Sequence, residues 1–226
     1  MTGGHMASVG RLSGKVALIT GASSGLSGSL MGFGGAAARL FADEGCSVVL
    51  TDIKDEDGIN TAKQIRDLGG TATYHHLDVT KEEDWITILK ETVDSYNKID
   101  ILVNNAGTSH AYGFLDADDD VWEEDLHLKV FGAIYFARAV IPYMKLAGGG
   151  AIVNVTTPGG KASPSGSLPT SASRAAGISI TKALSKEFAS EGIRVNTVCV
   201  GNIKSGQQRR RWEGRVEADP GLTLEQ

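Results

Sequence analysis

Short apolar runs rich in β-branched residues alternate along this chain with longer helical stretches, and that alternation constrains the fold more than any other feature. The runs are KVALIT (15–20), SVVLTD (47–52), TATYHHLDV (71–79), IDILVNNAG (99–107), AIVNVTT (151–157) and IRVNTVCV (193–200). Between them lie GGAAARLFADEG (34–45), DGINTAKQIRDLGG (57–70), KEEDWITILKETVDSYN (81–97), VWEEDLHLKVFGAIYFARAVIPYMKLA (121–147) and SASRAAGISITKALSKEFASEG (171–192). Glycines close the first two helical stretches, and Trp85, Leu89 and Val93 recur at helical spacing on the third. Strands alternating with helices predict a parallel sheet covered on both faces, and right-handed crossovers make it doubly wound. We therefore expect a three-layer α/β Rossmann fold with strand order 3-2-1-4-5-6. In such a sheet a ligand sits at the carboxyl ends of the strands, where the order reverses.

The bulk properties narrow the function. At 226 residues the chain suits one domain. Its 41% apolar and 22% charged residues are an ordinary soluble balance, and a net charge of −5 argues against nucleic acid as a partner. No apolar run approaches the ~20 residues of a membrane helix. The opening MTGGHMASVG lacks a basic start and an apolar core, so it reads as an expression-vector remnant rather than a signal peptide. These features predict a cytoplasmic protein with one domain over 11–226 and a more polar tail from 201, including QQRRRWEGR at 207–215. Cys46 and Cys199 read as two reduced thiols in or near the core. No Cys or His spacing suggests a metal, and His75 and His76 point to opposite faces of a strand.

The first strand runs into TGASSGLSGSLMGFGGAAARLF (20–41). Glycines there let a backbone approach a pyrophosphate, and the following helix start offers free amides and positive potential. The second strand ends in Asp52, about 30 residues on, where an acid can accept from the adenine ribose hydroxyls. No arginine follows directly, so NAD is favoured over NADP. The alternative for Asp52 is a solvated acid at a strand end.

The chain resembles the short-chain dehydrogenase/reductase family. GKVALITGASSG (14–25), LDVT (77–80), ILVNNAG (101–107), AIVNV (151–155) and GIRVNTVC (192–199) carry the resemblance, in the family's order and spacing. It implies cofactor contacts from Gly21, Ser23, Ser24, Gly25 and Phe33 at the turn, Asp52 on the ribose, and Asp78 and Val79 beside the adenine. Asn104, Asn105, Ala106 and Gly107 would lie along the cofactor's ribose side, with Arg174 reaching a ribose. It also implies a small-molecule substrate under a lid at about 201–226, and a homodimer or homotetramer assembled through the long helices at 121–147 and 171–192.

The sequence departs from the family's pattern at the chemistry. The family protonates a carbonyl oxygen with a tyrosine, set beside a lysine four residues on, a serine and an asparagine. Those places hold Thr170, Arg174, Thr157 and Lys129. Thr157 keeps a hydroxyl and Arg174 keeps a charge, but an aliphatic hydroxyl at Thr170 does not ionise near neutrality. His110 and Tyr112, in the loop after NNAG, are candidate replacement acids, histidine being matched to proton transfer near neutral pH; alternatively both are exposed loop residues. Three readings stay open: an NAD-linked oxidoreductase with a replaced acid, a catalytically silent nucleotide-binding protein, and a non-redox lyase or isomerase in which Arg174 and Lys129 hold an oxyanion. Lys129, Arg174 and Arg209–Arg211 suggest an anionic substrate such as a carboxylate, against the alternative that 209–215 is a solvated face.

Three further departures are structural. The glycine turn carries about seven extra residues, LSGSLMG or a shifted equivalent, which either bulge outward or extend the following helix by about two turns. The family's last helix and seventh strand do not follow the lid, and Val200-Gly201 replaces its usual proline-glycine. A valine there is expected to keep an apolar contact and free the turn.

Overall fold

A computed structural model describes residues 10–24, 32–201 and 203. The strands β1 (Val16–Thr20), β2 (Ser47–Asp52), β3 (Thr71–His76), β4 (Ile101–Asn104), β6 (Gly150–Thr156) and β8 (Ile193–Cys199) form one parallel sheet in the order β3-β2-β1-β4-β6-β8. Counting only these strands, this is the expected order. The numbering is interrupted by β5 (Ala111–Tyr112) and β7 (Leu168–Pro169), which pair antiparallel as a short ribbon. Two-residue strands carry no periodicity, so this ribbon is invisible to a pattern reading.

The sheet's centre is apolar on both faces, which is why its strands read as continuous runs. Leu18, Leu102 and Ile152 face one core with Trp85, Ile88 and Leu89 of α3 (Glu82–Tyr96). Phe136 and Val140 of α5 (Gly132–Leu146) fill the same layer. Ala17, Ile19, Ile101 and Val103 face the other core. That layer is covered by α1 (Phe33–Asp43) and α2 (Asp55–Asp67). α1 buries Gly34, Gly35, Ala38 and Ala42, a stripe of small residues that brings the helix axis close to the sheet.

The long helical stretch at 121–147 is interrupted. α4 (Asp119–Leu126) starts on Asp118, whose carboxylate accepts from the Val121 amide at 3.0 Å. A π-helical turn over His127–Phe131 then leads into α5. Such turns widen the helix locally and are frequent at functional sites; this one holds Lys129. α6 (Thr170–Glu187) begins one residue before the expected start.

The expectation about Val200 is corrected. Its amide donates to the Thr156 carbonyl at 2.9 Å, a bond that proline could not make. The substitution ties the end of the sheet rather than freeing it.

Asp100, just before β4, closes the amino-terminal end of the sheet's centre. Its carboxylate accepts from the Val16 amide at 2.9 Å and pairs with Lys15 at 2.9 Å and Lys98 at 3.2 Å, with its side chain 11% exposed. Burial pushes its carboxyl up, but the Lys15, Val16 and Lys98 bonds outweigh that and hold it below the ordinary range. A folded-state value below the unfolded value, ~3.9, gives stability that is present above that pH and is lost as pH falls through the folded value. Urea unfolding between pH 6 and 3 is expected to show a steeper acid loss for the native protein than for Asp100→Asn. Parallel acid limbs would contradict this.

Candidate active site

The glycine turn is built by close contacts. Gly21 has a positive φ of 66°, and a Cβ there would lie 2.8 Å from the Ala106 Cα. At Gly34 a Cβ would fall 2.3 Å from the Gly21 carbonyl oxygen, and at Gly35 2.1 Å from that of Ser24. Gly32 precedes α1 in extended conformation and packs on Ser24, where a Cβ would meet Oγ at 2.0 Å. Ser24 and Gly32 are thus direct neighbours. Most of the extra residues lie outside the described ones, and the described helix starts at Phe33. Gly25 lies outside the described residues. Gly32 and Gly34 stand at the helix start, in GFGGAAARLFADEG (32–45), the stretch that aligns with the family's usual helix start.

Asp52 ends β2 beside this turn. Its carboxylate accepts from the Ser23 amide at 3.0 Å and the Lys54 amide at 3.2 Å, and each carboxylate oxygen retains further acceptor capacity. Asp78 accepts from the Thr80 amide at 3.0 Å and hydroxyl at 2.7 Å, and Val79 is buried against Gly132. The paired asparagines of NNAG divide their work. Asn104 donates to Asn154 at 2.9 Å across β4 and β6, while Asn105 donates to the carbonyls of Thr20 and Gly21, each at 2.9 Å. The amides of Asn105 and Ala106 both donate to the Thr20 hydroxyl at 3.0 Å. Asn105 therefore supports the turn from behind, through its side chain.

A pocket opens at the carboxyl ends of β1, β4 and β6, lined by Thr20, Val79, Asn104, Ala106, Lys129 and Arg174 among others. Gly107 lies over it, and a Cβ there would meet Arg174 Nη2 at 2.8 Å. Arg174 donates from Nη1 to the Val155 carbonyl at 2.7 Å, and its Nε is buried with no hydrogen-bond partner. Burial pushes its guanidinium below the ordinary value, opposed by the charge of Asp125.

Asp125 is the centre of the site, and the sequence reading missed it. It is fully buried and pairs with Lys129, also buried, one helical turn on. The same oxygen, Oδ1, stands 3.1 Å from His110 Nδ1 and accepts from the Thr170 hydroxyl at 3.2 Å, while Oδ2 accepts from the Ser173 hydroxyl at 2.6 Å. The signal was the Asp125/Lys129 spacing of one turn, which by itself reads as a surface ion pair.

Thr170 stands where the family's acid would be, and its hydroxyl is fully engaged. Besides donating to Asp125, it accepts from Lys129 Nζ at 2.9 Å and from the His110 amide at 2.9 Å. One hydrogen and two lone pairs are the whole capacity of a hydroxyl. Its amide in turn donates to the His110 carbonyl at 3.2 Å, satisfying one of the free donors of a helix start. Together with the β5–β7 ribbon, these bonds draw the loop after NNAG onto α6. His110 is consequently held in the site, its side chain 15% exposed, whereas Tyr112 is 41% exposed. Thr157 follows β6 and is half-buried. Arg209–Arg211 and nearly all of the expected lid lie outside the described residues.

Elsewhere, Cys46 is buried and Cys199 half-buried, both free thiols. His75 and His76 take separate partners, Glu91 and Asp55. Among the described residues no cluster of metal-ligating side chains is present, and no helix is long and apolar enough to cross a membrane.

Comparison with known proteins agrees with this geometry. Residues 15–215 match the family described as short chain dehydrogenase. An uncharacterized oxidoreductase of Thermotoga maritima is 35% identical over 210 residues, 92% of this chain and 77% of its own. The 3-oxoacyl-(acyl-carrier-protein) reductase of the same organism is 35% identical over 195 residues, 86% of this chain and 76% of its own. A crystal structure described as a short-chain dehydrogenase/reductase from Burkholderia xenovorans superposes with a TM-score of 0.84 at 30% identity, covering 92% of this chain and 82% of that one.

Proposed function

The chain belongs to the short-chain dehydrogenase family, and on that premise we propose an oxidoreductase that moves hydride between a nicotinamide dinucleotide, NAD rather than NADP, and a small carbonyl or alcohol substrate. The residues present fit such a cofactor. Bare glycines line the turn, an acid ends β2, and the buried Arg174 Nε lacks a partner beside Gly107. Gly21, Gly32 and Gly34 would hold the pyrophosphate, Asp52 the adenine ribose and Arg174 the nicotinamide ribose. When bound, the nicotinamide supplies or accepts the hydride. The chain's own residues do the rest: they exclude water, hold the substrate oxygen and move its proton.

The observation that carries the reading is the Asp125-centred cluster. Burying a carboxylate, an ammonium and a guanidinium together costs folding free energy, and an apolar packing of similar volume is often as stable or more so. Buried charged clusters of this kind concentrate at active sites. Thr170, with its hydroxyl engaged, serves as an anchor. His110, partly accessible and paired with a carboxylate, is the proton donor, and Thr157 holds the substrate oxygen. Two cations, Lys129 and Arg174, face one carboxylate, which suits an anionic substrate. Assembly as a dimer or tetramer belongs to the same proposal.

Titration with NADH, followed by nicotinamide fluorescence with NADPH as competitor, tests the reading. Saturable binding that NADPH does not displace is expected, and Asp52→Ala is expected to abolish the discrimination. No binding up to millimolar NADH would overturn it.

A further inference from the structure

We infer that Asp125 is the positioning residue of the replaced acid: one buried carboxylate that fixes the tautomer and orientation of His110 while Lys129 holds the same oxygen. The inference rests on the oxidoreductase reading for its role in turnover, but its geometry stands apart from any cofactor.

His110 Nδ1 and Lys129 Nζ both meet Oδ1 of Asp125, and Ser173 fixes Oδ2 from the other side. An ionised carboxylate only accepts, so the nitrogen facing it carries the proton. Neutral His110 is therefore protonated at Nδ1, and the bond to Asp125 leaves Nε2 as the nitrogen that gains and loses a proton. In the reducing direction the Nε2–H bond of the imidazolium breaks as the substrate O–H bond forms. The electron pair stays on Nε2, and the charge that hydride addition places on the substrate oxygen is neutralised. Nε2 then regains a proton from solvent, which reaches this partly exposed ring. Asp125 keeps its partner proton on Nδ1 throughout.

Glu124 also faces the ring from α4, 3.9 Å from Nε2, and Lys129 holds Asp125 Oδ1 from the π turn, so the carboxylate is fixed from both sides of the ring's contact.

Nitrogen-15 NMR of the histidine ring in the full chain tests this without substrate. Neutral His110 is expected to carry its proton on Nδ1. In Asp125→Asn, whose amide can donate as well as accept, a measurable share of the neutral ring is expected to move its proton to Nε2. If Asp125→Asn does not fold, the double variant Asp125→Asn/Lys129→Met is expected to show the same change relative to Lys129→Met. A native neutral ring protonated at Nε2, or a tautomer share the same in these variants as in their parents, would overturn the inference. Failure of the native protein to bind NADH would overturn the oxidoreductase reading alone and leave the tautomer measurable.

Discussion

Replacing Asp125 by alanine is expected to cost the fold about 3–5 kcal/mol, the range found when one partner of a buried ion pair is removed. Asp125 and Lys129 have no exposed side-chain surface, so the ammonium left behind cannot find water without moving the π turn that carries it. Ser173 and Thr170 lose an acceptor at the same time, and His110 loses the anchor of its ring. The loss is a large part of the ~5–15 kcal/mol that holds a domain of this kind together. The double variant Asp125→Ala/Lys129→Met removes both charges and fills part of the space with an apolar chain, so it is expected to recover most of the loss. Urea unfolding at pH 7 of the native protein and both variants checks this. A single-variant loss below about 1 kcal/mol would be typical of an exposed pair instead, and would mean that water reaches the cluster.

Much of this fold is legible in the sequence, for a physical reason. Parallel strands covered on both faces leave no alternation to decode, so VALIT and SVVL stand out as apolar runs, and the alanine-rich helix after the glycine turn announces its close packing. The site is legible only where its chemistry is local. Asp52 sits at a strand end and NNAG follows a strand, so both are placed by counting. Asp125 is different. It lies in WEEDLHLK, beside the exposed Glu123 and Glu124, and nothing local separates it from them. Its burial is made by His110 and Ser173, distant in sequence, and by the ribbon that brings the loop after NNAG onto α6. The glycine turn is legible in part for a related reason. GASSG satisfies the usual spacing by itself, while the close contacts of Gly32 with Ser24 and of Gly34 with Gly21 join residues on either side of the extra segment.

Gly34→Ala follows from that contact and has the second large effect. The added methyl would sit 2.3 Å from the Gly21 carbonyl oxygen and 2.7 Å from Asn105 Nδ2. The first of these neighbours is backbone and the second is tied to the turn by two bonds, so neither yields without moving β1's exit or the start of α1. Overpacking of this kind costs roughly 1–3 kcal/mol. It also pushes the free amides of the α1 start away from where a pyrophosphate would bind, so NADH affinity is expected to fall at least about tenfold, or ~1.4 kcal/mol. Gly14→Ala separates the two effects. Gly14 also has a positive φ, 70°, but a Cβ there meets nothing within 4 Å. It is expected to cost only the ~1–2 kcal/mol of a left-handed residue and to leave NADH binding unchanged. If Gly34→Ala is destabilised but binds NADH like the native protein, the cofactor does not use this helix start.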